Sequence, residues 1–387
     1  MTTRREQGSG GGAARVYWTA LVGLFFDYYD LYLFVYLERA LAEHFQLTAF
    51  ASNTLQFCGL AGVGVGAFGF GWAADRFGRG RVLLAVFGVY LVGIAGLSLA
   101  WSYASLIAFR LLASTALGAE WGISHAYLAE RVDRDARYRF AAWLQLAIVG
   151  GLLAALAKEF LLPAWGWRWL LAASLPPVAV LSVLRWRLLL GDAGGGAPAG
   201  VARPAELAAA LREGGRAFAV CLGLASLTIA SGTINVFFAK ELPQSALYTA
   251  CFWLDVVPGM LAGAWVVRRL GVGRALILYA GGLLTLSLWA WETTWSGRAL
   301  AFALALPVLN GIPFGLMGAF FNEVFGRCRT ALSGAAYNLG RIAAGFSPAL
   351  ITALGLHQEG RYFLFTAALG AGMLALSVAA SRLARRF

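Results

Sequence analysis

The sequence predicts an all-α membrane protein of twelve transmembrane helices in two parallel six-helix repeats. Three observations predict it: a composition too apolar for a soluble domain, twelve apolar runs of spanning length, and a self-match at an offset of 193 residues. Hydrophobic residues make up 60% of the 387 and charged residues 13%, with a mean hydropathy of +0.70. Soluble domains run nearer about 45–50% apolar and roughly 25% charged. A span with its connection takes roughly 30 residues, since about 20 are needed to cross the hydrocarbon, so the chain has room for about a dozen.

The expected spans are 16–38, 50–74, 82–101, 103–128, 138–162 and 166–188, then 216–239, 245–267, 275–295, 299–322, 331–356 and 361–381. An even number of spans puts both termini on one side. The basic residues say which: 23 of the 31 fall in the N-terminal tail, the even-numbered loops and the C-terminus, six fall in the odd loops, and Arg110 and Arg341 lie inside spans. Basic residues concentrate in cytoplasmic loops, so both termini are expected in the cytoplasm. The net charge of +12 is thereby read as topology, and no nucleic-acid partner is expected.

The organisation that follows is a cytoplasmic tail over 1–15, an N-terminal six-helix half over 16–188, a linker over 189–215 and a C-terminal half over 216–387. The tail is polar and Gly-rich and has no signal-peptide pattern. The linker carries Gly194, Gly195, Gly196, Pro198, Gly200 and Pro204, with a short helical stretch expected near Glu206–Arg212. Shifting the chain by 193 positions lays Arg76, Gly78, Gly80, Arg81 and Gly88 on Arg269, Gly271, Gly273, Arg274 and Gly281. The same shift lays Gly118, Gly122, Glu130, Arg134 and Arg168 on Gly311, Gly315, Glu323, Arg327 and Arg361. A parallel duplication of six spans is a transporter arrangement, with substrate expected between the halves near the midplane and spans 1, 4, 7 and 10 around it.

Between spans two and three stands Gly71-Trp72-Ala73-Ala74-Asp75-Arg76-Phe77-Gly78-Arg79-Gly80-Arg81. Asp75 ends a helix amid arginines, while Gly71 and Gly78 allow close approach and a tight turn. This loop resembles G-x-x-x-D-R-x-G-R-x-R, the signature of the major facilitator superfamily. The resemblance implies a gating role for Gly71, Asp75, Arg76, Gly78 and Arg79, with Asp75 latching the cytoplasmic side near the N-terminus of span eleven, around Thr330 and Ala331. The second copy has Arg268 in place of the aspartate, so the resemblance implies no symmetrical latch.

Ionisable side chains at span depth are costly and mark function by default. Asp27 and Asp30 of span one share a helix face, and two such carboxylates cannot both ionise easily, which suits proton coupling. Asp30 and Arg110 of span four lie at similar depth. A pair between them is expected, with Asp27 as the freer proton carrier. Glu120 is either a further proton site or a structural partner to loop arginines; Arg341 and Asp255 complete the set. Two arginines in a cavity suit a carboxylate ligand; the alternative is that protein acids neutralise them, Asp30 for Arg110 and Asp255 for Arg341.

Phe26-Asp27-Tyr28-Tyr29-Asp30-Leu31, the run from Arg110 through Glu120-Trp121-Gly122, and Asn338-Leu339-Gly340-Arg341 resemble elements of the organic-anion branch of that superfamily, the metabolite:proton symporters and the sialic-acid and aromatic-acid carriers. Ser114, Ala116 and Ala119 stand where the branch has glycines. The resemblance implies secondary active transport, proton-coupled symport of a small organic anion such as a carboxylate or sugar acid; the reading of the residues themselves makes Arg110, Arg341, Tyr29, Gln145 and Asn338 the expected substrate contacts and Asp27, Asp30 and Glu120 the expected proton sites.

A sugar porter or a drug:proton antiporter of the same fold are the alternatives. Span five lacks the proline of the antiporter element, and neutral sugars have no use for fixed cations. The three histidines are His44, His125 and His357, and only His125 is in a span, so it is at most an additional polar group and no metal or catalytic cluster forms. No nucleotide-binding loop is present, and Cys58, Cys221, Cys251 and Cys328 have neither disulfide nor metal spacing. The expectation is a non-enzymatic, cofactor-free, monomeric carrier in the cell's inner membrane, with protons, a small anion and lipid as its partners.

Overall fold

The computed structural model describes residues 9–133, 136–191, 204–241, 245–291, 297–325, 328–356 and 361–384. Those residues are helical almost throughout. A lipid-embedded chain must satisfy its backbone N–H and C=O groups internally, and the helix does so within one segment. Sixteen α-helices follow in order: α1 Ser9–Tyr36, α2 Glu38–Phe45, α3 Ala49–Phe77, α4 Arg79–Ser98, α5 Tyr103–Ala129, α6 Arg137–Leu144, α7 Val149–Leu156, α8 Leu162–Ala172, α9 Leu175–Gly191, α10 Pro204–Glu241, α11 Ser245–Leu270, α12 Val272–Trp291, α13 Gly297–Val324, α14 Arg329–Gly345, α15 Ser347–Ala353 and α16 Tyr362–Ala384.

Each expected span is covered by one or more of these helices. By length and apolarity, eight stretches among the described residues can cross a membrane, nine counting the pair Val16–Tyr36 and Glu38–Phe45, bent by 51°. One of the eight, Arg137–Arg187, is 51 residues long, more than twice what a roughly 30 Å hydrocarbon layer needs. It turns at Gly166, where φ is 72°, and so holds spans five and six. The expected spans 245–267 and 331–356 miss that criterion yet are helical; α14 carries Asn338 and Arg341, and its residues Thr330 to Asn338 are all buried while Arg341 is partly exposed.

Several boundaries differ from expectation. Helix α1 starts at Ser9, inside the expected 1–15 tail; helix formation adds a backbone bond for each residue once the nucleus exists. The short helix expected within the linker is the start of α10, which runs unbroken from Pro204. Span five is broken: a 3₁₀ turn at Gln145–Ile148 separates α6 from α7, and a π segment spans Ala157–Leu161. Span eleven breaks between α14 and α15, just before Pro348.

The chain forms two compact units. The first comprises Met1–Arg134, Ala147–Ala210 and Arg327–Ala335; the second comprises Asp135–Leu146, Leu211–Gly326 and Ala336–Phe387. These differ from the expected halves at two places, because α6 packs with α11 and α13 in the second unit, and the start of α14 belongs to the first. Within the first unit the core runs from Leu33, Phe34 and Leu37 through Leu55, Val86, Phe87, Leu106 and Ile123 to Leu170 and Val178. Helix ends are closed by local chemistry. Ser102 and Ser105 form a reciprocal capping box at the start of α5, and Arg168 donates to the Ser98 and Ala100 carbonyls (3.0 and 2.8 Å) at the end of α4.

The duplication is repeated in the packing inside each unit. Gly78 and Gly271, equivalent under the 193-residue offset, both have positive φ, 95° and 79°, and each ends a span in a backbone region that L side chains rarely adopt. In the first unit a methyl group on Gly66 would overlap the Thr115 carbonyl, and one on Gly118 the Val63 carbonyl. In the second, the equivalent Gly259 and Gly311 stand in the same relation to Val308 and Val256. Small residues let membrane helices approach backbone to backbone. Gly118→Val and Gly311→Val are therefore each expected to lower stability by about 1–3 kcal/mol through overpacking, read as a drop in the thermal midpoint of the detergent-purified protein. Gly88→Ala and Gly281→Ala, which have open space around them, should change stability by less than about 0.5 kcal/mol and leave the midpoint near that of wild type.

Candidate functional site

Asp30 is 1% exposed and Arg110 is 3% exposed, both within the first unit. The expected Asp30–Arg110 ion pair does not form. Neither Asp30 oxygen completes a hydrogen bond, although Arg110 and the Ser174 hydroxyl are the groups within its electrostatic reach. Ser174 donates instead to the Leu171 carbonyl at 2.9 Å. The Arg110 guanidinium lies 3.7 Å over the centroid of the Phe34 ring, and its Nε has no partner. Gly59 makes this placement possible, since a Cβ there would come within 2.7 Å of Arg110 Nε. The stack on Phe34 competes with the carboxylate for the cation: an arginine plane gains by lying on an aromatic face.

Asp27, one turn earlier on α1, is partly exposed, and Tyr29 is buried. Tyr29 sits where α1 meets α7 at close quarters: a Cβ on Gly150 would be 3.0 Å from the Tyr29 nitrogen.

Glu120 is fully buried and has a partner that the sequence reading left among the basic residues of the cytoplasmic side. Arg185 of α9 donates to both carboxylate oxygens, Nη2 to Oε1 at 2.7 Å and Nη1 to Oε2 at 3.2 Å. Ser124 donates to Oε1 at 2.8 Å. The signal available was that Arg185, counted with the loop that follows, stands just inside the end of the expected span 166–188. His125 follows on the same helix, packed at a tilt against Trp121 with ring centroids 4.4 Å apart and its Nδ1 2.9 Å from the Trp121 carbonyl.

At the end of the first unit that the basic residues mark as cytoplasmic, Asp75 sits against the N-terminus of α14. The backbone N–H groups of Thr330 and Ala331 donate to its two oxygens, at 3.2 and 3.0 Å. Arg79 donates from Nη2 to Asp75 at 3.1 Å and from Nε to the Thr330 hydroxyl at 3.0 Å, and pairs with Glu130. A helix N-terminus leaves its first N–H groups unpaired and carries a partial positive charge, so a carboxylate is the natural clasp. Gly71 leaves room for it, since a Cβ there would be 2.8 Å from the Ala331 Cα. Arg76, expected among the gating residues, takes no part. It lies over Trp72, one turn earlier, and Phe77, the next residue, 5.4 and 5.3 Å from their centroids. Gly78 contributes the positive-φ turn that lets Arg79 start α4 beside Asp75.

In the second unit Arg341 is partly exposed; its Nη2 donates to the Tyr337 hydroxyl at 3.4 Å and its guanidinium is 5.0 Å from that ring's centroid. Asn338, one position after Tyr337, is fully buried. Gln145 is fully buried and donates to the Phe314 carbonyl at 3.3 Å, which fixes the 3₁₀ turn of span five against α13. Asp255 is partly exposed and forms no ion pair with Arg341; that neutralising pair is absent among the described residues. A group that the sequence reading passed over is Asn310, whose Oδ1 accepts from Ser231 at 2.8 Å and from Tyr279 at 3.0 Å. Only the tertiary fold brings these three helices to one point.

The described residues thus show helices packed through glycines, charges buried among them, and a carboxylate clasp at one end of the first unit. The chain belongs to the Major Facilitator Superfamily, whose family profile it matches over residues 20–349. It is similar to a putative metabolite transport protein of Haemophilus influenzae, at 26% identity over 86% of this chain and 88% of that one. It is also similar to a gentisate transporter of Corynebacterium glutamicum, at 25% identity over 92% and 86%. Among solved structures, a proton:xylose symporter superposes with a TM-score of 0.72 over 96% of this chain and 95% of that one, at 17% identity, a likeness of fold. The chain is a transporter of the cell membrane and not an enzyme.

The clasp yields a direct test. Asp75→Asn removes the charge from two charge-assisted hydrogen bonds, each worth about 1.5–3 kcal/mol, so contact with α14 should weaken at least roughly tenfold. Cys328, buried immediately before α14, reports on it in a chain with Cys58, Cys221 and Cys251 replaced by alanine. Its maleimide labelling should accelerate in Asp75→Asn; an unchanged rate would show that the clasp does not hold α14.

Proposed function

We propose that this transporter is a proton-coupled symporter of small organic anions, carboxylates or sugar acids, working by alternating access. The observation that carries the reading is the unbonded couple in the first unit. A buried carboxylate and a buried guanidinium lie within electrostatic reach of one another, and neither is used up by an ion pair. Buried charges are costly unless partnered, so each needs a further partner, and the two missing partners have opposite sign. A proton neutralises Asp30; an anion neutralises Arg110. With Asp30 ionised, Arg110 has an internal counter-ion and an anion is less welcome. Once Asp30 is protonated, Arg110 is free to take a carboxylate bidentately. Proton and substrate then bind with positive linkage, which is what symport requires.

In this reading the proton goes to Asp30 first and Asp27 shapes the field around it, the reverse of the order expected from sequence. Arg341, held beside Tyr337 in the second unit, and Asn338, Gln145 and Tyr29 keep the roles of substrate contacts expected from the sequence. The relative that transports gentisate, an aromatic carboxylate, supports the anionic substrate class. The clasp of Asp75 on α14 supplies an element whose making and breaking can bias two states, provided the states differ in that contact.

The test is counterflow in proteoliposomes against gentisate, other mono- and dicarboxylates, sugar acids and neutral sugars. Exchange confined to the anions is expected; exchange of neutral sugars alone would replace the reading with a sugar porter. In Asp30→Asn, exchange should persist while accumulation driven by an imposed pH gradient disappears, and Asp27→Asn should retain accumulation. The opposite pattern would return the proton to Asp27. Arg110→Gln should weaken anion binding roughly 10- to 100-fold, the loss of one charged hydrogen-bonding partner, and Arg341→Lys should weaken it less, since charge stays while the planar fork is lost.

A further inference from the structure

A second pair of buried charges lies in the first unit, apart from Asp30 and Arg110. The Glu120 carboxylate accepts both terminal nitrogens of Arg185 and the Ser124 hydroxyl, and the side chains of Glu120 and Arg185 are 0% and 5% exposed. Arg185 Nη2 also donates to the Thr19 carbonyl of α1 at 2.7 Å. The guanidinium plane lies 4.1 Å from the centroid of the Phe87 ring of α4. Helix α1 passes so close that a Cβ on Gly23 would collide with Arg185 Nη2 and lie 2.5 Å from Glu120 Oε1. One guanidinium thus joins α1, α4, α5 and α9, and one turn beyond Gly23 on the same face of α1 stands Asp27.

We propose that Arg185 is a positioning residue for coupled transport: it holds Glu120 as a fixed counter-ion, takes that carboxylate out of proton traffic, and anchors the helix that carries Asp27 and Asp30. The inference rests on the symport reading for its context. The geometry separates the two carboxylates by role. Asp30 has no bonded partner, whereas Glu120 has a bidentate arginine and a hydroxyl; a bidentate arginine pair is among the strongest charge-assisted contacts and fixes orientation as well as charge. Facing Glu120 are Arg185 from α9, the Thr19 carbonyl and Gly23 from α1, Phe87 from α4 beyond the guanidinium, and Ser124 on its own helix. Arg185 is the one charged group among these. Removing it would leave a buried carboxylate with a single hydroxyl donor, beside Gly23 on the helix that carries Asp27, and so open a route for a proton to a site that holds none in the intact protein.

Infrared difference spectra of the purified full-length protein, titrated across pH and read in the carbonyl region of protonated carboxylic acids, test this without a substrate. Wild type and Glu120→Gln should give the same bands at every pH. Arg185→Gln should gain one titrating band that is absent from Arg185→Gln/Glu120→Gln, and Arg185→Lys, which keeps the charge, should restore the wild-type spectrum. A purely structural role would lower thermal stability without adding a band. A wild-type band that disappears in Glu120→Gln would overturn the proposal, because it would make Glu120 a proton carrier. If Arg185→Gln does not fold, wild type against Glu120→Gln still decides, and the double variant replaces Glu120→Gln should that single variant fail. Failure of the anion reading would appear separately, as absent counterflow in wild type.

Discussion

Ionisable side chains buried among apolar helices are the constraint on which the rest of this structure depends, because each must find a partner or remain available for one. The first unit solves the problem in three ways. Glu120 receives a bidentate arginine and a hydroxyl. Asp75 receives two backbone N–H groups at a helix terminus and an arginine from its own loop. Asp30 receives neither, and Arg110 rests on an aromatic ring instead. The contrast underlies the proposed roles, in which a satisfied charge is structure or clasp and an unsatisfied pair is where exchangeable ligands act.

Each of these placements depends on a glycine that brings backbone or side chain to close range. Gly23 admits the Arg185–Glu120 pair, Gly59 admits the Arg110 guanidinium, and Gly71 admits the first turn of α14. The same device in its repeated form, Gly66 with Gly118 and Gly259 with Gly311, sets the crossing of α3 with α5 and of α11 with α13. Where hydrophobic burial gives no net drive between helices in lipid, close packing and polar contacts take over, so the glycines are as consequential here as large side chains are in a soluble core.

The twelve apolar runs, their duplication and the side to which the basic residues point were legible in the sequence because each is a local or periodic property. A span is about 20 apolar residues, and a repeat is a constant offset. The meeting of Asp75 with Thr330 and Ala331 came within reach only through the resemblance of the Gly71–Arg81 loop to a known family, since no spacing rule connects positions so far apart. Asp27, Asp30, Arg110, Glu120 and Arg341 could be singled out individually, as charges inside apolar runs.

What the sequence by itself determined, then, is the class of fold, the order of the spans and the short set of charges that must be accounted for, since those follow from composition and period. Which charges pair was decided by tertiary structure alone. The sequence offered Asp30 to Arg110 and Asp255 to Arg341, and the structure forms neither; it gives Glu120 to Arg185 instead. The physical reason is that pairing within a packed bundle turns on differences of an ångström in helix approach, set by Gly23, Gly59 and the Phe34 ring. Hydropathy, charge count and helical period carry no information on that scale.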